Sequence, residues 1–235
     1  MSQTRVGAML PAQPVAEDAP LPSRKVLRSW LLDLAEKTTA LPIVLLVVDY
    51  IIYGVLIAAA IAAPHWSLRL LAGLVAGFWI GRLFVIGHDA CHQAYTPDKK
   101  LNKWLGRIAF LPSLSPYSLW DVGHNVMHHG YTNLKGVDFV WMPSSVAEYQ
   151  QMSAGRRFME RVYRSGWGPS LYYMIEIWWN KMFWPSKKVQ PSRRPAFFWD
   201  NVLVSVYAVI WLAVVVLGAL AANVSIWSAI ITAFI

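Results

Sequence analysis

Pro42–Ala63, PIVLLVVDYIIYGVLIAAAIAA, decides the fold: 22 residues carry one charge, Asp49. As a helix that length crosses a hydrocarbon core of about 30 Å. Pro64 and His65 then form a very short connection to a second apolar run, Trp66 to Ile86, whose Arg69 and Arg82 stand near its ends and can extend toward head groups. The two runs therefore predict a transmembrane helical hairpin. A third crossing is expected from Asn201 to Ala222, free of charge, and Val224 to Ile235 reads as the start of a fourth, its 12 residues falling short of the roughly 20 a spanning helix needs. The expected class is an all-α membrane protein, C-terminally incomplete.

Composition agrees with this reading. Hydrophobic residues make up 56% of the 235 and charged residues 14%, against about 25% charged in soluble domains. Disorder and a nucleic-acid-binding module are both excluded on that balance, so no nucleic-acid partner is expected. Thirteen Trp, ten Tyr and nine Phe suit a chain with two lipid–water interfaces to occupy. The single cysteine, Cys91, permits no intramolecular disulfide and reads as a small buried hydrophobe.

Residues 1–30, with Pro11, Pro14, Pro20 and Pro22 and no apolar periodicity, read as a flexible solvated tail, and residues 31–235 as one membrane domain. The first long apolar run begins only at Leu41, so no cleaved leader is expected. Lys and Arg are distributed unevenly: five precede Leu41 and fourteen lie between Gly87 and Trp199. The positive-inside tendency then places the N-terminus and the central segment in the cytoplasm, the membrane being the inner one if the cell is bacterial. Within that segment Ser170–Pro185, SLYYMIEIWWNKMFWP, reads as a helix lying in the interface. The basic residues Lys187, Lys188, Arg193 and Arg194 read as a lipid head-group contact, or as a dock for an acidic electron carrier. Asp49 marks a polar pathway or pairs with a lysine near the cytoplasmic end.

Chemistry is concentrated in the histidines. Five of the six fall between His88 and His129, in the patterns HDACH (88–92) and HNVMHH (124–129). Residues four apart share a helix face, so His88 pairs with His92 and His124 with His128, while His129 projects about 100° further round. Such a segment can address two metal ions from adjacent faces. Imidazole alone does not select the metal, but five histidines exceed the needs of one tetrahedral zinc, for which a structural zinc site is the bland alternative. No Glu stands beside a histidine as in HExxH, and no Glu-x-x-His pair occurs. Two redox-active ions, most plausibly iron, remain. Asp89, inside the first box and three residues before His92, is expected to orient a ring N–H; Asp121, three before His124, does the same or caps a helix. Trp104, Tyr117 and Trp120 lie between the boxes and are candidate linings for a substrate channel, packing being the commoner role of such rings. His65, alone at the hairpin turn, is assigned no function.

These residues resemble the integral-membrane fatty acid desaturases. The resemblance covers Gly87 to Ser186 and the flanking apolar blocks: GHDACHQAY, Asn102 and Gly106, PYSLWDVGHNVMHH, Asp138-Phe139-Val140-Trp141, then Glu148-Tyr149. It is most similar to the acyl-lipid, omega-6 type branch. Either box alone is a weak pattern; two in order with 31 residues between His92 and His124, beside a hairpin, are a strong one. The resemblance implies a cytoplasm-facing di-iron centre with His88, His92, His124, His128 and His129 as ligands. It implies use of O2 and two electrons to remove two hydrogens from an acyl chain of a membrane lipid. No haem-binding or iron–sulfur domain is fused here, so a separate ferredoxin- or cytochrome-type electron donor is expected. The family's third histidine box has no counterpart in these residues, which implies two or three ligands fewer and an incomplete centre. A hydroxylase or ketolase acting on a carotenoid, sterol or alkane, and an inactive truncated relative, are the alternatives.

Overall fold

The computed structural model describes residues 22–31, 36–140, 142–166, 168–189 and 194–234. Eleven α-helices and two π-helices are found among them: α1 (Arg24–Leu31), α2 (Ala40–Ala62), α3 (Trp66–Cys91), α4 (Lys99–Phe110), α5 (Tyr117–Asp121), π1 (Val122–His128), α6 (His129–Tyr131), α7 (Val146–Gln151), α8 (Ala154–Tyr163), α9 (Gly168–Tyr172), π2 (Tyr173–Met182), α10 (Pro195–Ala221) and α11 (Ile226–Phe234). The chain is all-helical as expected, and α2, α3 and α10 are each long and apolar enough to cross a membrane.

The hairpin forms as predicted, with α2 packed along α3. Its aliphatic core is made of Leu46, Ile57, Ile61, Ala76 and Leu83, joined by Val215, Ala219 and Ala229 from α10 and α11. The opposite faces, with Val44, Val48, Ile51, Val55 and Phe78, are exposed and suit lipid. A small residue decides how closely the last helix approaches: a Cβ at Gly73 of α3 would collide with the Thr232 carbonyl of α11. Thr232 Oγ1 in turn donates to the Ala60 carbonyl of α2 at 2.6 Å. Within the expected short segment, α11 is thus a helix wedged against the hairpin.

One expectation needs correction. Asp49 pairs with an arginine and not a lysine: Arg82 Nε donates to its Oδ1 at 2.7 Å, across the hairpin, while the carboxylate stays buried. Sequence periodicity cannot show this, because α2 and α3 meet at a register only packing sets. The helix that holds the second apolar run continues past it: α3 runs unbroken to Cys91, since no breaker intervenes, and so carries His88 on its last turn. The helix that holds the third begins at Pro195, whose fixed φ suits the first turn of a helix.

Part of the expected tail is helical as well. In α1, Val26, Leu27, Trp30 and Leu31 alternate at helical spacing with Arg24, Lys25 and Arg28, and none is buried. Residues 1–21 of that tail lie outside the described residues, as do Trp141 and Arg193. The segment read as an interfacial helix is α9 and π2. It buries Tyr172, Ile177 and Met182, and Trp178 Nε1 donates to the Leu114 carbonyl at 2.7 Å. Trp179 and Met174 remain exposed.

A second core lies at the cap, and it is aromatic: Phe110, Tyr117, Trp120, Tyr163 and Tyr172 around Cys91, Ile177 and Met182. Ring pairs link Phe84 to Phe110 at 5.0 Å and Phe110 to Trp120 at 5.0 Å. Gly87 makes room for this stack, because a Cβ there would enter the Phe110 ring. The aromatic core is the floor on which the histidines stand.

Candidate metal centre

The first pair comes from the end of α3. His88 occupies its last turn, and His92, one residue past the helix, donates its backbone N–H to the His88 carbonyl at 3.1 Å. Their Nε2 atoms are 3.2 Å apart. Gln93, at φ 57°, then turns the chain away toward α4.

The second group comes from π1, and here the structure departs from helical arithmetic. A π-helix closes its hydrogen bonds at five residues instead of four, and His129 N–H indeed donates to the His124 carbonyl. His129 therefore comes round beside His124, with Nε2 atoms 3.1 Å apart, in place of projecting 100° away. His128 stacks nearly parallel on His124 at 5.5 Å between ring centroids. Its Nδ1 turns to the carboxylate of Asp138 at 3.0 Å.

The two groups meet. His124 Nε2 lies 3.1 Å from His88 Nε2 and 3.2 Å from His92 Nε2, and His88, His92 and His124 form a group able to hold one ion. His129 joins at the exposed side, its ring 4.9 Å from that of His92. Nitrogens at this spacing suit imidazoles that share one cation with bonds of about 2.1 Å. Four such nitrogens cannot satisfy one another when each ring carries its proton on Nδ1.

For His88, and for His128 beside the group, the surroundings set that tautomer. His88 Nδ1 is 3.0 Å from Asp89 Oδ1, and His128 Nδ1 faces Asp138, leaving Nε2 of each free to bind. Asp138 is buried, which pulls its pKa up, but backbone N–H groups of Asn133 at 2.9 Å and Val140 at 3.1 Å, with His128, outweigh burial and hold it below the usual carboxylate range. Burial, followed by the neighbouring imidazoles of His88, His129, His92 and His128, pushes His124 down to about 3. His92 is lowered for the same reasons, burial first. Both rings are neutral at pH 7, the state a metal ligand requires.

Of the residues expected from sequence, His88, His92, His124 and His129 converge, and His128 stands against them with its own acid. Asp89 orients His88, its neighbour, and not His92. Asp121 accepts from Asn125 Nδ2 at 2.6 Å, so it orients no histidine; the same amide donates to the Cys91 carbonyl at 3.1 Å and pins π1 to the end of α3. Trp120 stacks on His124, 4.2 Å between centroids at 23°. Tyr117 is buried in the aromatic core, and Trp104 faces outward. Sequence reasoning gave no role to Asp138 as a brace, although the turn before it, with Gly136 at φ 86°, signals a chain reversal that returns an acid to the box.

Comparison with known proteins gives the same direction. The chain is 32% identical over 144 residues to the sn-1 oleoyl-lipid 12-desaturase of Arthrospira platensis, covering 61% of this chain and 40% of that protein. It is 32% identical over 135 residues to the chloroplastic omega-6 fatty acid desaturase of Glycine max, covering 57% and 31%. It is 34% identical over 96 residues to a Synechocystis sn-1 acyl-lipid omega-3 desaturase (ferredoxin), covering 41% and 26%. The chain thus spans less than half the length of the curated relatives it matches. No solved structure is significantly similar. The profile of the fatty acid desaturases matches residues 64–235, from the hairpin turn through both histidine groups to α11, and the chain belongs to the fatty acid desaturase family.

Proposed function

We propose that this chain contributes the histidine-rich half of a membrane di-iron desaturase that introduces a double bond into the acyl chain of a lipid. One observation carries the reading: imidazoles from the end of α3 and from π1, far apart in sequence, bring the Nε2 atoms of His88, His92 and His124 within 3.1 to 3.2 Å of one another, with His129 Nε2 3.1 Å from that of His124. His88, His92, His124 and His129 are the proposed ligands on one side and His128 on the other.

Iron bound there supplies the oxidising power for an unactivated C–H bond, which a redox-inert ion lacks. The reaction balances as CH2–CH2 plus O2, two electrons and two protons giving CH=CH and two waters. The protein supplies position. Asp89 and Asp138 hold two ring protons on Nδ1, Trp120 fixes the plane of His124, and Phe84 and Phe110 exclude water from beneath. An apolar cavity of about 220 Å³ lined by Tyr53, Ala76, Ile80, Leu114, Tyr207 and Trp211 opens between α2, α3, α10 and α11, a place suited to hydrocarbon. Electrons come from a separate carrier, ferredoxin being the class named for the Synechocystis relative. The cap faces the cytoplasm.

Lipid analysis of cells expressing the reading frame that contains this chain tests the proposal. Acyl chains with one additional double bond are expected, with loss of the product in His124→Ala. Oxygenated products alone would instead identify a hydroxylase.

A further inference from the structure

A second ligand site lies away from the histidines, between α4 and α10. It is a groove of about 580 Å³ lined by Lys100, Lys103 and Trp104 from α4 and by Trp199, Leu203 and Val206, which follow one another along α10. The sequence builds it deliberately on α4. That helix buries Asn102, Leu105, Gly106, Ala109 and Phe110, which leaves Lys100, Lys103 and Trp104 together on its exposed side.

Charge in the groove is unbalanced. Its acid, Asp200, is already taken: Arg107 Nε donates to Oδ1 at 2.7 Å, Arg107 Nη2 to Oδ2 at 3.4 Å, and the Ser118 N–H to Oδ2 at 2.8 Å. Among the described residues no carboxylate pairs with Lys100 or Lys103. Two ammonium groups without an acid partner therefore share one groove with two exposed indoles and with the exposed Leu203 and Val206, which continue down α10 from Trp199. Anionic, then interfacial, then apolar is the order of groups along a charged phospholipid.

The geometry points to a seat for one anionic phospholipid: its phosphodiester between Lys100 and Lys103, its glycerol beside Trp104 and Trp199, and an acyl chain along Leu203 and Val206. The seat holds the lipid as a bound partner, independently of any metal at the histidines.

Native mass spectrometry of the full chain in detergent, with phosphatidylglycerol and phosphatidylcholine offered at equal concentration, reads this directly. The wild type is expected to retain phosphatidylglycerol preferentially, and Lys100→Gln/Lys103→Gln to lower that retention roughly tenfold. Arg24→Gln/Lys25→Gln removes the same charge from another exposed site, on α1, and is expected to retain the lipid as the wild type does. Millimolar inorganic phosphate is expected to leave it in place, because the tail contributes. Equal retention of both lipids, an equal loss in the two double variants, or displacement by phosphate overturns the proposal. Matching circular dichroism of the variants keeps a loss from being one of folding.

Discussion

At the residue scale, Asp138 is the informative side chain. It is 5% exposed, carries a charge, and spends its oxygens on two backbone N–H groups and on His128. A carboxylate held so firmly fixes the ring proton of His128 on Nδ1 and leaves the opposite nitrogen free to bind. Asp138→Asn keeps the shape but removes the charge and an acceptor lone pair. Metal affinity is expected to fall by about 10- to 100-fold, the range typical of lost partners behind a ligand. Titration of iron into the purified variant checks this; affinity equal to wild type would show that His128 binds nothing. Trp120 plays the complementary part, giving His124 a flat apolar neighbour where Asp138 gives His128 a charged one.

Among elements, the contact between α3 and α11 depends on one glycine. A side chain at Gly73 meets backbone, which cannot swing aside as a side-chain terminus can. Gly73→Ala is therefore expected to push α11 outward, break the Thr232 bond to Ala60, and cost about 1–3 kcal/mol. Gly81 on the same helix has open space around it, so Gly81→Ala is expected to be neutral or stabilising by up to about 1 kcal/mol through helix propensity. Thermal unfolding in detergent compares the two. The π1 segment shows the same dependence on packing. Asn125 ties it to both Cys91 and Asp121, and that tether accompanies the wider turn that delivers His129 to His124.

For the molecule as a whole, the hairpin sets which groups share a side of the membrane. The start of α2 and the end of α3 lie together, where Lys37 Nζ donates to the Gln93 carbonyl at 2.7 Å, and His65 marks the opposite end. Cys91 is buried, so the native protein supplies a silent background for thiol labelling. In intact bacterial cells a membrane-impermeant maleimide is expected to label His65→Cys, and to label Ser186→Cys only after permeabilisation. The reverse pattern would invert the cytoplasmic assignment, and labelling of both from outside would contradict the hairpin.

By itself the sequence determined the class of fold, the hairpin, and the five histidines that gather beside the end of α3. Those features follow from the length of apolar runs and the spacing of a rare residue type, both local properties a linear pattern records. It did not determine which acid serves which histidine, that Asp49 meets Arg82, or that His129 and not His128 comes nitrogen to nitrogen with His124. These were decided by tertiary structure, because a π-turn changes the angular step per residue and buried carboxylates choose partners by proximity across helices. Periodicity assumes the regular helix; the site was made where packing departs from it.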